Sequence, residues 1–80
     1  MITIEMVEKA WSNLLEFTKV IEKKEDMSLL AYAEVRFRSR YDDLHKNWDE
    51  NHAYIFMKAM KQLAEYFGFE CPEFEKPENK

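Results

Sequence analysis

Apolar residues recur at helical spacing in three stretches of the chain. The first stretch carries Ile4, Val7, Trp11, Leu14 and Ile21. The second carries Leu30, Ala33, Phe37, Tyr41, Leu44 and Trp48, and the third carries Ala53, Phe56, Met57, Met60, Leu63, Ala64 and Phe67. Apolar positions three and four residues apart form one face of a helix, and polar residues occupy the opposite face. The pattern predicts three amphipathic helices, at about residues 3–23, 27–48 and 50–67.

The break between the first two helices follows from the phase of their apolar stripes. Nine residues separate Ile21 from Leu30, a rotation of about 900° in an unbroken helix, which would put the two stripes on opposite sides. A turn near residues 25 and 26 lets both stripes face one core. We therefore expect Asp26 or Ser28 to cap the second helix.

The junction between the second and third helices is predicted on the same grounds. The step from Trp48 to Ala53 rotates the stripe by roughly 140° beyond a full turn, so the helix is expected to break there. Asp49 is the expected N-cap of the third helix, and Glu50 then lies in its first turn, where a negative charge is favourable.

The end of the third helix has the clearest signals. Gly68 stands where a left-handed residue ends a helix, and Pro72 prevents the helix from resuming. Residues 70–80 contain both prolines and four glutamates. We interpret them as a short disordered acidic C-terminal tail, part of which Phe74 can anchor.

These elements predict an all-α fold, a small three-helix up-down-up bundle formed by residues 1–69 as a single domain. The chain has 80 residues with one glycine and one cysteine, Cys71, so an internal disulfide is excluded. No apolar run reaches the length of about 18 residues needed to span a bilayer. Glu5 and Glu8 precede any apolar run, which argues against a secretory signal and favours a cytoplasmic protein.

Residues that carry catalytic or metal chemistry are few. The histidines are His45 and His52. Asp42, His45 and Asp49 have helical spacing that lets two ligands share a cation, but a di-metal bundle needs several carboxylates pointing into its core. We interpret this corner as solvated acids and capping residues. We therefore expect no catalytic residue, no metal site and no cofactor, and predict that the chain is not an enzyme.

The second helix carries an unusual run of three arginines. Arg38 has acidic residues four positions before and four after it, so its charge is compensated within the helix. Arg36 and Arg40 share a side of the helix near Tyr32. One interpretation is that both brace the bundle by pairing with glutamates of the first helix. The other is a partner-binding patch of Tyr32, Arg36 and Arg40 with an exposed Tyr54, because Arg and Tyr are enriched at binding hot spots.

Direct nucleic-acid binding is not expected from the charge distribution. The formal net charge is −4, with 12 basic and 16 acidic side chains, whereas a nucleic-acid-binding domain has a basic face and a high pI.

The leading functional hypothesis is a small acidic protein-binding module. It would act by occupying the surface of another protein, as an inhibitor, immunity protein, antitoxin or phage-type host- or defence-modulating protein. Two alternatives stay open: a nucleic-acid-associated regulator and a structural homo-oligomer. A homodimer would use the broad face of the first helix, with Met6, Ala10, Phe17 and Val20.

Overall fold

The computed structural model describes residues 1–20 and 27–74, and three helices account for most of them. They are α1 (Ile4–Val20), α2 (Met27–Lys46) and α3 (Glu50–Phe67). The described residues contain no strand, so the predicted all-α fold is confirmed. The predicted end of the first helix, at residue 23, lies outside the described residues. No helix in the described part of the chain is both long and apolar enough to cross a membrane.

The three helices run up, down and up. Glu8, near the start of α1, has its carboxylate 3.4 Å from Nε2 of His45 at the end of α2, so these two helices are antiparallel. The rings of Phe17 and Phe67 have centroids 6.5 Å apart. This contact brings the C-terminal ends of α1 and α3 together, so those two helices are parallel.

The core lies between all three helices and is made of aliphatic, methionine and aromatic side chains. Its most completely buried large members are Val7, Leu14, Leu30, Met57 and Met60. These residues belong to the apolar stripes that the sequence predicts, so each helix turns its predicted face inward. No buried polar or charged residue is found among the described residues.

The connection between α2 and α3, residues 47–49, is longer than the single residue that the sequence pattern predicts. Asp49 is the N-cap of α3, and its Oδ1 accepts a hydrogen bond from the backbone N–H of Asn51 at 2.9 Å. Capping requires extended backbone at Asp49 (φ −143°, ψ 116°). The second helix ends at Lys46, two residues before its predicted end, and Trp48 lies in the connection.

The other helix ends agree with the sequence in part. Gly68 has φ 91° and its N–H bonds to the carbonyl of Ala64, which confirms the predicted left-handed cap. Ser28 lies inside α2 and is not its N-cap, and Asp26 lies outside the described residues.

The segment after α3 packs against the bundle as far as residue 74. Asn13 of α1 donates a side-chain hydrogen bond to the carbonyl oxygen of Glu70 at 3.3 Å. The Phe74 ring packs at 66° to that of Tyr54, with centroids 5.9 Å apart. Residues 70–74 are therefore attached to the bundle and are not disordered, and Phe74 is the anchor that the sequence analysis allowed for part of the tail. Residues 75–80 lie outside the described residues.

Candidate functional site

Helix α2 presents large apolar side chains to solvent on the side that faces away from the core. Leu30 and Leu44 of this helix are buried, whereas Leu29 is 47% exposed, Tyr32 60% and Val35 67%. In α3, Ile55 is 54% exposed. Scattered exposed apolar residues are ordinary on a protein surface, but a contiguous group of them indicates an interaction site.

Three of these residues line a groove of about 470 Å³ between α2 and α3, which we call the α2–α3 groove. Its lining residues are Leu29, Tyr32, Ala33, Arg36, Phe37, Arg40, Ile55, Phe56 and Ala59. The rings of Phe37 and Phe56 meet edge to face with centroids 5.3 Å apart and close the groove toward the core. The groove is open to solvent.

Small side chains are the local reason that a groove exists here. Ala33 and Ala59 each reach only to Cβ, so α2 and α3 leave space between them where larger side chains would have filled it. In α3, Ile55 and Ala59 are four residues apart and share one face of the helix. Ile55 therefore stands at the edge of the depression above Ala59.

Two arginines lie on the α2 edge of the groove. Nη1 of Arg36 donates a hydrogen bond to the Tyr32 hydroxyl at 3.0 Å, and its Cζ lies 5.7 Å from the centroid of the same ring. Arg40 lines the groove one turn further along. Within residues 1–20 and 27–74, no carboxylate is within ion-pair distance of either guanidinium. The groove therefore has one cationic edge, in a chain whose net charge is −4.

Among the described residues, no glutamate of α1 pairs with Arg36 or Arg40, so the interpretation in which both arginines brace the bundle against the first helix gains no support there; Glu22 lies outside the described residues. Both arginines line the side of α2 that faces α3. The arginine directed at α1 is Arg38, whose Cζ lies 5.9 Å from the Trp11 ring centroid. Arg38 also pairs with Glu34 at 3.9 Å, which confirms one of its two predicted helical partners. The difference arises because residues two positions apart project about 200° apart around a helix.

Tyr54 does not belong to the α2–α3 groove, and its predicted exposure is wrong. Its side chain is half-buried and packs against Phe74. Tyr54 and Ile55 are adjacent in α3 and so project about 100° apart, and it is Ile55 that faces the groove. The apolar residues Leu29 and Ile55 were missed by sequence reasoning. The signal was present in Ile55, a large apolar residue outside the stripe that Ala53, Phe56 and Met57 define.

The predicted dimer face on α1 is mostly used inside the chain. Ala10 is fully buried, and Met6 is half-buried against the core. Phe17 packs on Phe69, with ring centroids 5.2 Å apart, and on Phe67. Val20 is the exception, being 75% exposed. The broad apolar face of α1 is explained by its contacts with both other helices and with the segment after α3.

The two histidines outside the groove each lie beside one carboxylate and are not grouped together. His45 contacts Glu8, and Nδ1 of His52 lies 3.3 Å from the carboxylate of its capping neighbour Asp49. Over the part of the chain that the structure describes, no group of three or more His, Cys, Asp or Glu side chains is placed to hold a metal ion.

Cys71 lies in the segment that packs against α3 and is half-buried. Burial raises the pKa of its thiol, Glu73 raises it further, and Lys61 opposes the rise. A raised pKa reduces the fraction of thiolate at neutral pH, and the thiolate is the nucleophilic form. The surroundings of Cys71 therefore do not activate it as a nucleophile.

No known protein family, curated protein sequence or solved structure matches this chain. The interpretation of the α2–α3 groove therefore depends on its own geometry, exposure and charge.

Proposed function

We propose that the chain is a non-enzymatic protein-binding module that acts by occupying a surface of another protein through the α2–α3 groove. The observation that supports this function is the groove itself, in which half-exposed Leu29 and Ile55 stand beside Tyr32 and Arg36. Exposed apolar surface rimmed by polar groups is typical of interaction sites, and Arg and Tyr are the residues most enriched at their energetic centres.

The Arg36–Tyr32 pair adds to this interpretation. The hydrogen bond and the stacking geometry hold the guanidinium along the groove edge, so less side-chain entropy is lost when a partner binds. A guanidinium held in this way still has free N–H donors for a carboxylate of the partner. The pair therefore resembles a prearranged contact point.

The proposal includes a finer hypothesis about the effect on the partner. The chain would be an inhibitor, immunity, antitoxin or phage-type protein that inhibits or neutralises its partner in the cytoplasm. This hypothesis is supported by the size of the chain and its lack of recognisable catalytic motifs. It stays a prediction until the partner is identified.

Site-specific photo-crosslinking tests the proposed function. A benzophenone amino acid is placed at Tyr32 or at Ile55, on the two edges of the groove, and at exposed Ser12 of α1 as the matched control. Each variant is irradiated in a lysate of cells that produce the protein, once with and once without nuclease treatment. We expect one adduct of the same protein partner from positions 32 and 55 and none from position 12.

Three outcomes would contradict the proposal. Adducts between two copies of the chain would indicate the homo-oligomer instead. Adducts that disappear with nuclease treatment would indicate the nucleic-acid-associated regulator. Equal labelling of the same partner from position 12 would show that the groove is not the contact surface.

A further inference from the structure

The length and the lining of the α2–α3 groove suit the binding of a helix. Leu29 and Arg40 are the first and last residues of α2 that line it, and the eleven helical steps from one to the other correspond to about 16 Å, or three turns. The groove runs between two antiparallel helices, and the surface of a packed helix pair receives a further helix through ridges and grooves. Addition of an extended strand would instead require a free sheet edge, and the described residues form only helices and connections.

We propose that the groove binds an amphipathic helix of the partner protein, with acidic side chains along one edge of its apolar face. This inference rests on the proposed function and names the kind of partner segment that the groove takes.

The preference for an apolar helix face follows from the alternation of large and small side chains that line the groove. Ala33 and Ala59 line the groove with small side chains that leave space, and Leu29 and Ile55 line it with large ones. A bound helix presents apolar residues at positions i, i+4 and i+7 on one face. Two or three such side chains fit into the space above the alanines.

The preference for acidic side chains follows from the difference in charge between the two edges of the groove. On the α2 edge, Arg36 and Arg40 are one turn apart, about 6 Å along the axis. On the α3 edge, Ile55 and Ala59 carry no charge. A bound helix with carboxylates four residues apart on one side can contact both guanidiniums at once. The same helix turned end for end would place those carboxylates against the uncharged edge.

The rest of this chain does not supply such a segment. The stretches outside the described residues read IEKKED (21–26) and EKPENK (75–80), and they contain a single large aliphatic residue, Ile21. In a second copy of the chain, α1 carries acids on its outer face, but its apolar stripe is buried in its own core. Helix α3 likewise turns its apolar stripe into the core. The exposed apolar residues of a second α2 stand beside the same two arginines, whose charges would repel those of the first copy. The occupant is therefore assigned to a different protein.

Selection from a displayed library of helical 18-residue peptides tests the inference. The folded wild-type chain is one target, and the charge-reversed Arg36→Glu/Arg40→Glu variant is the other. Both arginines are exposed, so the variant is expected to keep its helical circular dichroism. Wild type should enrich peptides with apolar residues at i, i+4 and i+7 and with Asp or Glu on one side of that stripe. The reversed variant should enrich Lys or Arg at the same positions.

The affinity of a selected acidic peptide is then measured by fluorescence anisotropy. We expect binding to weaken at least about tenfold in the reversed variant, because two attractive pairs become repulsive. Replacing the two acids of the peptide by lysine should restore it. Ile55→Asp, which places a charge in the apolar wall, serves as the blocked-groove control and should weaken binding of every selected peptide.

The possible failures separate this inference from the proposed function. Selected peptides that bind wild type and the reversed variant equally would contradict the inference that the bound helix is acidic. Crosslinking from positions 32 and 55 would in that case still support a protein-binding groove. Enrichment of extended proline-rich peptides would overturn the helix in the same way. If no peptide binds wild type better than Ile55→Asp, the inference is wrong, and crosslinking alone then decides the proposed function.

Discussion

The indole of Trp11 and the phenol of Tyr41 stack across the α1–α2 interface, with ring centroids 5.3 Å apart and planes inclined by 22°. The His45 ring packs on the same phenol at an interplanar angle of 65°, with centroids 4.6 Å apart. Burial raises the pKa of Tyr41, and the carboxylates of Glu8 and Asp42 raise it further. The uncharged phenol is therefore part of what holds α2 against α1.

Alkaline pH should weaken the fold through this tyrosine. The folded chain keeps the Tyr41 proton over a range of pH in which the unfolded chain has lost it, so stability falls as pH rises past the ordinary tyrosine pKa of about 10. In Tyr41→Phe, the free energy of unfolding in urea should fall less steeply above pH 10 than in wild type. Cys71 also has a raised pKa, but it is present in both proteins and cancels in the difference. Parallel pH profiles for the two proteins would contradict this assignment.

Phe17 should be a structural residue and not a dimer contact. Its ring packs on Phe67 and Phe69, and it is half-buried, so Phe17→Ala should cost about 2 kcal/mol, roughly half the loss for a fully buried phenylalanine. Val20→Ala on the same helix, where the side chain is 75% exposed, should change stability by less than about 0.5 kcal/mol. Urea unfolding measures both, and light scattering reports the mass of each variant. A loss of dimer mass in Phe17→Ala without loss of stability would favour the predicted dimer face instead.

The N-cap of α3 should contribute measurably to stability. The carboxylate of Asp49 accepts hydrogen bonds from the N–H groups of Asn51 and His52, at 2.9 and 3.4 Å. Asp49→Ala leaves these donors without a protein partner and should lower the free energy of unfolding by about 1 kcal/mol. Asp49→Asn retains a capping oxygen and should remain within a few tenths of a kcal/mol of wild type. Equal losses in both variants would show that the charge, and not the hydrogen bond, is what matters at this position.

The fold was predictable because local signals determine most of it. The buried residues Val7, Leu14, Met57 and Met60 follow the helical period, and Asp49 and Gly68 cap α3 where their residue types predict. The contacts of the segment after α3 were less predictable, because they join residues far apart in sequence. Asn13 and Glu70, for example, are 57 positions apart, and no periodic pattern connects them.

The candidate site was predictable only on its α2 edge. Tyr32, Arg36 and Arg40 are neighbours along one helix, so their shared side follows from helical geometry alone. Their position opposite Ile55 depends on how α2 is rotated against α3 in the folded bundle. Helical spacing does not determine that rotation, so the sequence pattern points to Tyr54 and not to its neighbour Ile55.

Phe74 should hold the segment of residues 70–74 onto the bundle and thereby protect Cys71. The Phe74 ring lies against Tyr54, and the Lys61 ammonium is 5.9 Å from its centroid. Phe74→Ala removes both contacts and should cost about 1 kcal/mol, the usual worth of one aromatic pair. Release of the segment also exposes the Cys71 thiol and lowers its pKa toward the ordinary value, so iodoacetamide should alkylate it faster at pH 8. Phe74→Leu retains an apolar contact and should stay closer to the wild-type rate, whereas an unchanged rate in Phe74→Ala would show that other contacts bury Cys71.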